Sequence, residues 1–338
     1  MEKYLSIRVQ TALYVSIFFI SLHHVFVYLT NSSVLRYIFG LTTNEVLVVY
    51  GLSAFFGISV YLIMLRVGIS ENIKKNIYLS ALIEFACLIG MYYSSIHQHT
   101  YIFIGLFIVH NLITPYIMFN LDTLFEAYTH IKDRGRGRGI YLTMWNIPFV
   151  IVPLIMSALS ISKLPIAYMA SSFLLLPFLY ILFHSIKNPD PSDLQTLASK
   201  HNTVFDQLKA FFKDSLDRKA FIAQVLLRLY YGIITVLLPI YLHSVFLFDW
   251  DKIGLILAIM SAPFILMQIP FGNMEDRDHN EKGLFRIGLV TAFVFTITTL
   301  LVSPPIAQDT AFLLISGFLF LAHVGCSLIE ISTESMFY

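Results

Sequence analysis

The chain has 338 residues, 57% of them apolar and 13% charged. Its mean hydropathy of +0.74 excludes a soluble enzyme, a secreted disulfide scaffold and a disordered chain. At about 20 residues per crossing, the apolar share furnishes about nine or ten membrane-spanning helices, and the net charge of +1 matters less than where the charges sit.

Apolar stretches broken by polar clusters predict ten spans, at 11–30, 45–65, 77–94, 100–121, 139–160, 165–186, 220–244, 253–272, 284–303 and 310–331. Their hydrophobicity is continuous rather than alternating, and unpaired backbone cannot be solvated in hydrocarbon, so each is expected to be a helix. The expected fold class is an all-α polytopic membrane protein. With the N-terminus in the cytoplasm, eighteen of the 22 basic residues fall in inner segments, and only Arg36, Lys163 and Lys252 in outer ones; Arg228 lies within a span. That bias satisfies the positive-inside rule and predicts a multi-pass protein of the cytoplasmic (inner) membrane. The first apolar run has no good small-x-small cleavage site and suits a spanning helix rather than a signal peptide. Cys87 and Cys326 lie inside apolar runs and read as small packing residues.

One loop is long. It opens at Lys187 with Asn188-Pro189-Asp190-Pro191, which stops the sixth helix sharply. It divides the chain into a six-helix bundle (1–186), a cytoplasmic linker (187–219) and a four-helix bundle (220–338). In the linker, Val204, Phe205, Leu208, Phe211, Phe212 and Leu216 recur at helical spacing, which predicts an amphipathic helix along the inner membrane surface.

Ionisable residues inside a membrane are costly and are site candidates by default. Arg228 stands about 12 Å into the seventh span, beside Gln224 and Tyr230-Tyr231. It either faces a cavity and binds an anionic solute group or a coupling carboxylate, or it snorkels to the headgroups. Glu84 lies at similar depth in the third span, as a protonated or snorkelling side chain or as a proton carrier. His23 and His24 are adjacent, about 100° apart on a helix, so one of them can face inward and titrate near neutral pH. His110 and Asn111, followed by Thr114-Pro115-Tyr116, form the densest polar patch of the first half. Trp145-Asn146-Ile147-Pro148 in the fifth span and Gln268 between Pro263 and Pro270 in the eighth repeat the pattern. Asn111, Asn146, Arg228, Tyr231 and Gln268 are therefore the expected cavity-lining residues, and His23, His24 and Glu84 the candidates for proton coupling.

Other patterns dissolve on inspection. Arg134-Gly135-Arg136-Gly137-Arg138-Gly139 follows no strand and reads as the cytoplasmic anchor of the fifth helix, not as a nucleic-acid or phosphate loop. His97 and His99 share a loop without nearby Cys or carboxylate, so no metal site is expected. HExxH, GxSxG and Walker sequences are missing, so no cofactor, catalytic group or ATP drive is expected either.

The two halves repeat. Leu65-Arg66-Val67-Gly68 after the second span matches Asp276-Arg277-Asp278-His279 after the eighth, Arg66 and Arg277 standing 211 positions apart. Gly105, Asp122 and Phe125 match Gly317, Glu334 and Phe337 at a spacing of 212. The segment from Pro239 to Arg286, with PIYL, DKIGLILAIMSAPFILMQIPFG and GNMEDRD, resembles the seventh to ninth helices of major facilitator superfamily transporters. That family's Gly-x-x-x-Asp-Arg loop signature is present as Gly272, Asp276 and Arg277. The first-half signature is degraded, keeping Arg66 and Gly68 but carrying Leu65 for Asp and Tyr61 for Gly.

The resemblance covers the whole chain in helix order and implies two pseudo-symmetric helical bundles, with ten of twelve helices present and the chain truncated at its C-terminus. It also implies a cytoplasmic gate of ion pairs, Arg66 with Asp122 or Glu126 and Arg277 with Glu334, that breaks as the bundles rock. The expected function is secondary active transport of a small solute by alternating access, proton-coupled, by a monomer in the lipid bilayer without nucleic-acid partners. A polytopic enzyme acting on lipid-linked substrates is the competing class, and a truncated fragment that does not transport is the third reading.

Overall fold

A computed structural model describes residues 2–67, 72–128, 134–159, 161–186, 209, 212–213, 215–278 and 281–335. Among them are ten long helices: α1 (Glu2–Ser33), α2 (Thr43–Val67), α3 (Ile73–Ile96), α4 (Thr100–Tyr128), α5 (Arg134–Ser157), α6 (Ile166–Ser185), α7 (Ser215–Val245), α8 (Trp250–Asp278), α9 (Glu281–Leu301) and α10 (Gln308–Ser335). All ten are long and apolar enough to cross a membrane, as the ten apolar runs predict. Most overrun the predicted spans because hydropathy marks only the hydrocarbon-immersed part, while the helix continues into the interface. Apart from Lys209, Phe212 and Lys213, which are helical, the linker residues up to Asp214 lie outside the described residues, and with them most of the predicted amphipathic helix.

The repeat is visible in the helix bounds, since α7 to α10 begin and end about 210 residues after α1 to α4. Polar residues are accommodated within the spans by bonding to their own helix one turn back. Thr30 donates to the Phe26 carbonyl (2.6 Å), Ser95 to Met91 (2.7 Å), Thr143 to Gly139 (2.8 Å) and Ser261 to Leu257 (2.8 Å). Each such bond removes a donor that lipid could not satisfy. Helix ends are closed by local chemistry. Thr42 and Glu45 make a capping box at the start of α2, the Thr42 amide and hydroxyl both donating to Glu45 Oε2 at 2.7 Å. A π-turn (Val34–Ile38) follows α1, and Gly40 beyond it takes a positive φ of 70° that suits glycine.

The helices sort into two compact units, one containing α1 to α4 and α6, the other α5 and α7 to α10. Division by the long loop and grouping by contact thus differ at α5, which packs along α8. In the first unit α6 lies against α1 and α3. The Tyr168 hydroxyl donates to Asn31 Oδ1 at 2.9 Å, and Lys74 Nζ donates to the last carbonyls of α6, those of Phe183 (3.2 Å) and Ile186. A cation there caps otherwise orphaned acceptors and complements the helix dipole.

In the second unit α9 and α10 meet through two glycines. A Cβ on Gly288 would stand 2.7 Å from the Gly325 carbonyl oxygen, and one on Gly325 would stand 2.6 Å from that of Gly288. The close approach of backbones through small residues is how helices associate where no hydrophobic drive exists. An apolar groove of about 410 Å³, lined by Ile222, Leu226, Tyr230, Leu289, Phe293 and Cys326, runs between α7, α9 and α10.

Candidate functional site

Among the described residues, each unit contains a buried polar cluster built on its long apolar helices. In the second unit the cluster grows from residues on four helices. Arg228 Nη2 stands 3.1 Å from Glu330 Oε1, joining α7 to α10. Gln268 of α8 donates from Nε2 to Glu330 Oε2 at 3.3 Å, and Asn146 of α5 donates from Nδ2 to Gln268 Oε1 at 3.3 Å. The result is a relay from Asn146 through Gln268 to a buried carboxylate that also holds a guanidinium. The amide of Gln268 is oriented by having a donor on one side and an acceptor on the other, so both ends of the relay are fixed.

The Arg228 guanidinium lies 5.9 Å from the Tyr231 ring, and Tyr231 stacks against His323 with centroids 6.4 Å apart. The side chain of Glu330 is 5% exposed and that of Arg228 57% exposed. The carboxylate is therefore buried with its counter-charge partly at the surface of the unit. One turn earlier on α7, Gln224 donates to the Thr333 hydroxyl at 2.6 Å, pinning α7 to α10 a second time.

The first unit holds the other cluster. Glu84 of α3 is fully buried, and its Oε1 stands 2.5 Å from His110 Nδ1 on α4 and 3.5 Å from His23 Nε2 on α1. Thr114 Oγ1 lies 3.3 Å from the same His110 nitrogen. The Ser171 hydroxyl of α6 donates to the His23 carbonyl at 3.0 Å and lies 2.7 Å from His23 Nδ1. Cys87, one turn from Glu84, donates from Sγ to the Leu106 carbonyl at 3.0 Å.

Of the residues expected to line a cavity, Asn146, Arg228, Tyr231 and Gln268 come together in the second unit. Asn111 lies in the first, where its amide donates to the Phe107 carbonyl at 2.8 Å. Of the proton-coupling candidates, His23 and Glu84 meet, whereas His24 stacks on Tyr28 with centroids 5.4 Å apart. For the gate, Asp122 and Glu126 are half-buried near the end of α4. Arg66, Gly272, Asp276, Arg277 and Glu334 lie within α2, α8 and α10, but their side chains are outside the described residues.

Two ionisable residues that sequence reasoning passed over complete the clusters. Glu330 sits at the end of a predicted span and is not singled out by the sequence, and His110 reads only as part of a polar patch. The rule that an intramembrane ionisable group is a site candidate was the signal available for both.

Residues 13–336 match the sequence model of the family described as the Major Facilitator Superfamily. Solved structures share the fold at low identity. The nucleoside transporter NupG matches with a TM-score of 0.69 and 15% identity over 96% of this chain and 81% of its own. A bacterial homologue of the iron transporter ferroportin, in an outward-facing state, matches with a TM-score of 0.62 and 13% identity over 96% and 83%. The peptide transporter POT in complex with sulfate matches with a TM-score of 0.57 and 10% identity over 98% and 89%. No curated protein sequence matches.

Proposed function

Since the chain belongs to the major facilitator superfamily and is thus a multi-pass membrane solute transporter, we propose that it moves a small solute across the cytoplasmic membrane by alternating access, driven by a proton gradient. The N-terminus is cytoplasmic in this reading, as the clustering of Lys and Arg in alternate loops supports. Transport rather than chemistry on a lipid-linked substrate is supported by the family.

The observation that carries the coupling is the Arg228–Glu330 pair at 3.1 Å. A carboxylate buried in a low-dielectric interior is tolerable only while a cation or a proton accompanies it. An anionic group on the solute competes with Glu330 for Arg228, whose planar fork of donors suits carboxylate or phosphate. When Arg228 turns to the solute, its pairing with Glu330 is weakened, and taking up a proton offsets that cost. Anion and proton then load together, and the loaded and empty states differ in the charge pairing that holds α7 to α10. A differential of this kind between two conformations is what a ligand needs in order to shift their populations. The relay from Asn146 and Gln268 keeps the carboxylate oriented through both states.

The test uses the protein in liposomes with a panel of small organic anions and neutral solutes of similar size. A proton gradient is expected to drive accumulation of at least one solute, and Glu330→Gln to abolish that accumulation while exchange between internal and external solute continues. Gradient-driven accumulation by Glu330→Gln at the wild-type level would overturn the coupling mechanism.

A further inference from the structure

We infer that His23, Glu84 and His110 form a resident site for one divalent first-row transition-metal ion, which braces α1, α3 and α4 within the first unit. The site is independent of the Arg228–Glu330 pair and goes beyond the transport reading. Among the described residues these three form the group of metal-ligating side chains whose donor atoms converge, all lying within 4.8 Å of one another.

The hydrogen bonding around His23 is compatible with a ligand role. Ser171 has a single hydroxyl proton, and it is given to the His23 carbonyl at 3.0 Å. Its oxygen, 2.7 Å from His23 Nδ1, then accepts from that nitrogen, and in this tautomer, the one a metal ligand needs, Nε2 presents its lone pair. That lone pair points toward Glu84 Oε1 at 3.5 Å, and Nε2 has no hydrogen-bond partner. In that tautomer two electron-rich atoms face each other in a fully buried place, with His110 Nδ1 beside the same Oε1 at 2.5 Å. The second carboxylate oxygen, Glu84 Oε2, is likewise buried without a hydrogen-bond partner. A cation seated among them satisfies all of these atoms at once.

The dimensions and chemistry agree. Nitrogen and oxygen ligands bind a tetrahedral ion at about 2.0 to 2.2 Å, which puts neighbouring donors about 3.3 Å apart. The observed separations of 2.5 and 3.5 Å bracket that edge. Two imidazoles and one carboxylate suit zinc, iron(II), cobalt(II) or nickel(II) rather than calcium or magnesium, which take oxygen ligands. A ligating histidine ordinarily has its other ring nitrogen bonded to a second group that fixes its orientation, and Ser171 supplies this for His23. Thr114, 3.3 Å from His110 Nδ1, adds a hydroxyl beside the site. Charge is met as well, because the ion-pairing partners of Glu84 among the described residues are the two histidines, and a dication gives the buried carboxylate the counter-charge it needs. His23 and Glu84 are fully buried, so the ion is one loaded as the helices assemble and then retained. His23 and Glu84 thereby serve a bound cation rather than proton transfer.

The experiment is metal analysis of the full chain, purified in detergent on a tag that contains no histidine, from cells supplied with zinc, iron or cobalt. Wild-type protein is expected to carry about one equivalent of transition metal per chain, and the cobalt form to show visible d–d bands. Glu84→Gln and His110→Gln are each expected to lower the metal content at least tenfold, while His24→Gln, whose ring stacks on Tyr28, keeps it. Ser171→Ala leaves the ligands in place and is expected to weaken cobalt binding roughly 10- to 100-fold. Wild-type protein without stoichiometric metal under all three supplements would overturn the inference, and so would Glu84→Gln protein with wild-type content. No transport measurement enters, so its failure and that of the coupling mechanism are separately visible.

Discussion

Substituting alanine for Gly325 tests whether the second unit is held together by backbone contact between α9 and α10. The new Cβ would stand 2.6 Å from the Gly288 carbonyl oxygen and 2.9 Å from the Ala292 Cα, where ordinary van der Waals contact begins beyond about 3.4 Å. Those neighbours are backbone and cannot rotate away, so the helices must part by roughly half an ångström to one ångström, which forfeits a quarter to a half of each dispersion contact across the seam. Only 6% of the α9 span is buried, leaving little other contact to compensate. Overpacking of this kind costs about 1 to 3 kcal/mol; at about 2 kcal/mol, a unit of this size should lose roughly 4 to 8 °C in unfolding midpoint.

Gly317 on the same helix is the internal control, because a methyl group added there would meet nothing within 4 Å. At that position alanine should be neutral or stabilising by up to about 1 kcal/mol, since glycine is the poorer helix former. Thermal unfolding of the two variants in detergent, followed by intrinsic fluorescence and by size-exclusion chromatography, measures the difference. Equal midpoints for Gly325→Ala and Gly317→Ala would refute the reasoning.

Two further outcomes follow from other contacts. Lys74→Met keeps the apolar stem of the side chain but removes the donor from the Phe183 and Ile186 carbonyls; with solvent screening at this half-buried position it should cost about 1 kcal/mol, read as faster proteolysis or hydrogen exchange at the end of α6, and unchanged protection there would count against the cap. Arg277→Ala should lower transport with expression retained, because the family resemblance makes Arg277 part of a gate; unaltered uptake in the same liposome assay would remove it from that role.

The membrane spans were legible in the sequence because burial in lipid selects for side-chain type alone, and ten apolar runs became ten helices. The repeat was legible for a related reason, since matched loops such as those at Arg66 and Arg277 survive as spacing. Arg228 and Glu84 could be singled out as ionisable groups at the wrong depth for a lipid-facing side chain. Their partners could not. Glu84 meets residues 61 positions earlier and 26 positions later in the chain, and Arg228 meets Glu330, 102 positions away. A helix that is apolar nearly all round carries no strong periodic signal to say which face turns inward, so sequence cannot choose which polar side chains meet across helices.

What the amino-acid sequence determined by itself was therefore the number and approximate position of the helices, along with family membership, all of which depend on composition and local order. What only the tertiary structure decided was which charges became neighbours. Packing set Ser171 against His23. It placed Gln268 between Asn146 and Glu330, and brought Gly288 to Gly325. Each of these depends on the rotation and register of one helix against another, which the bilayer leaves undetermined and close packing fixes.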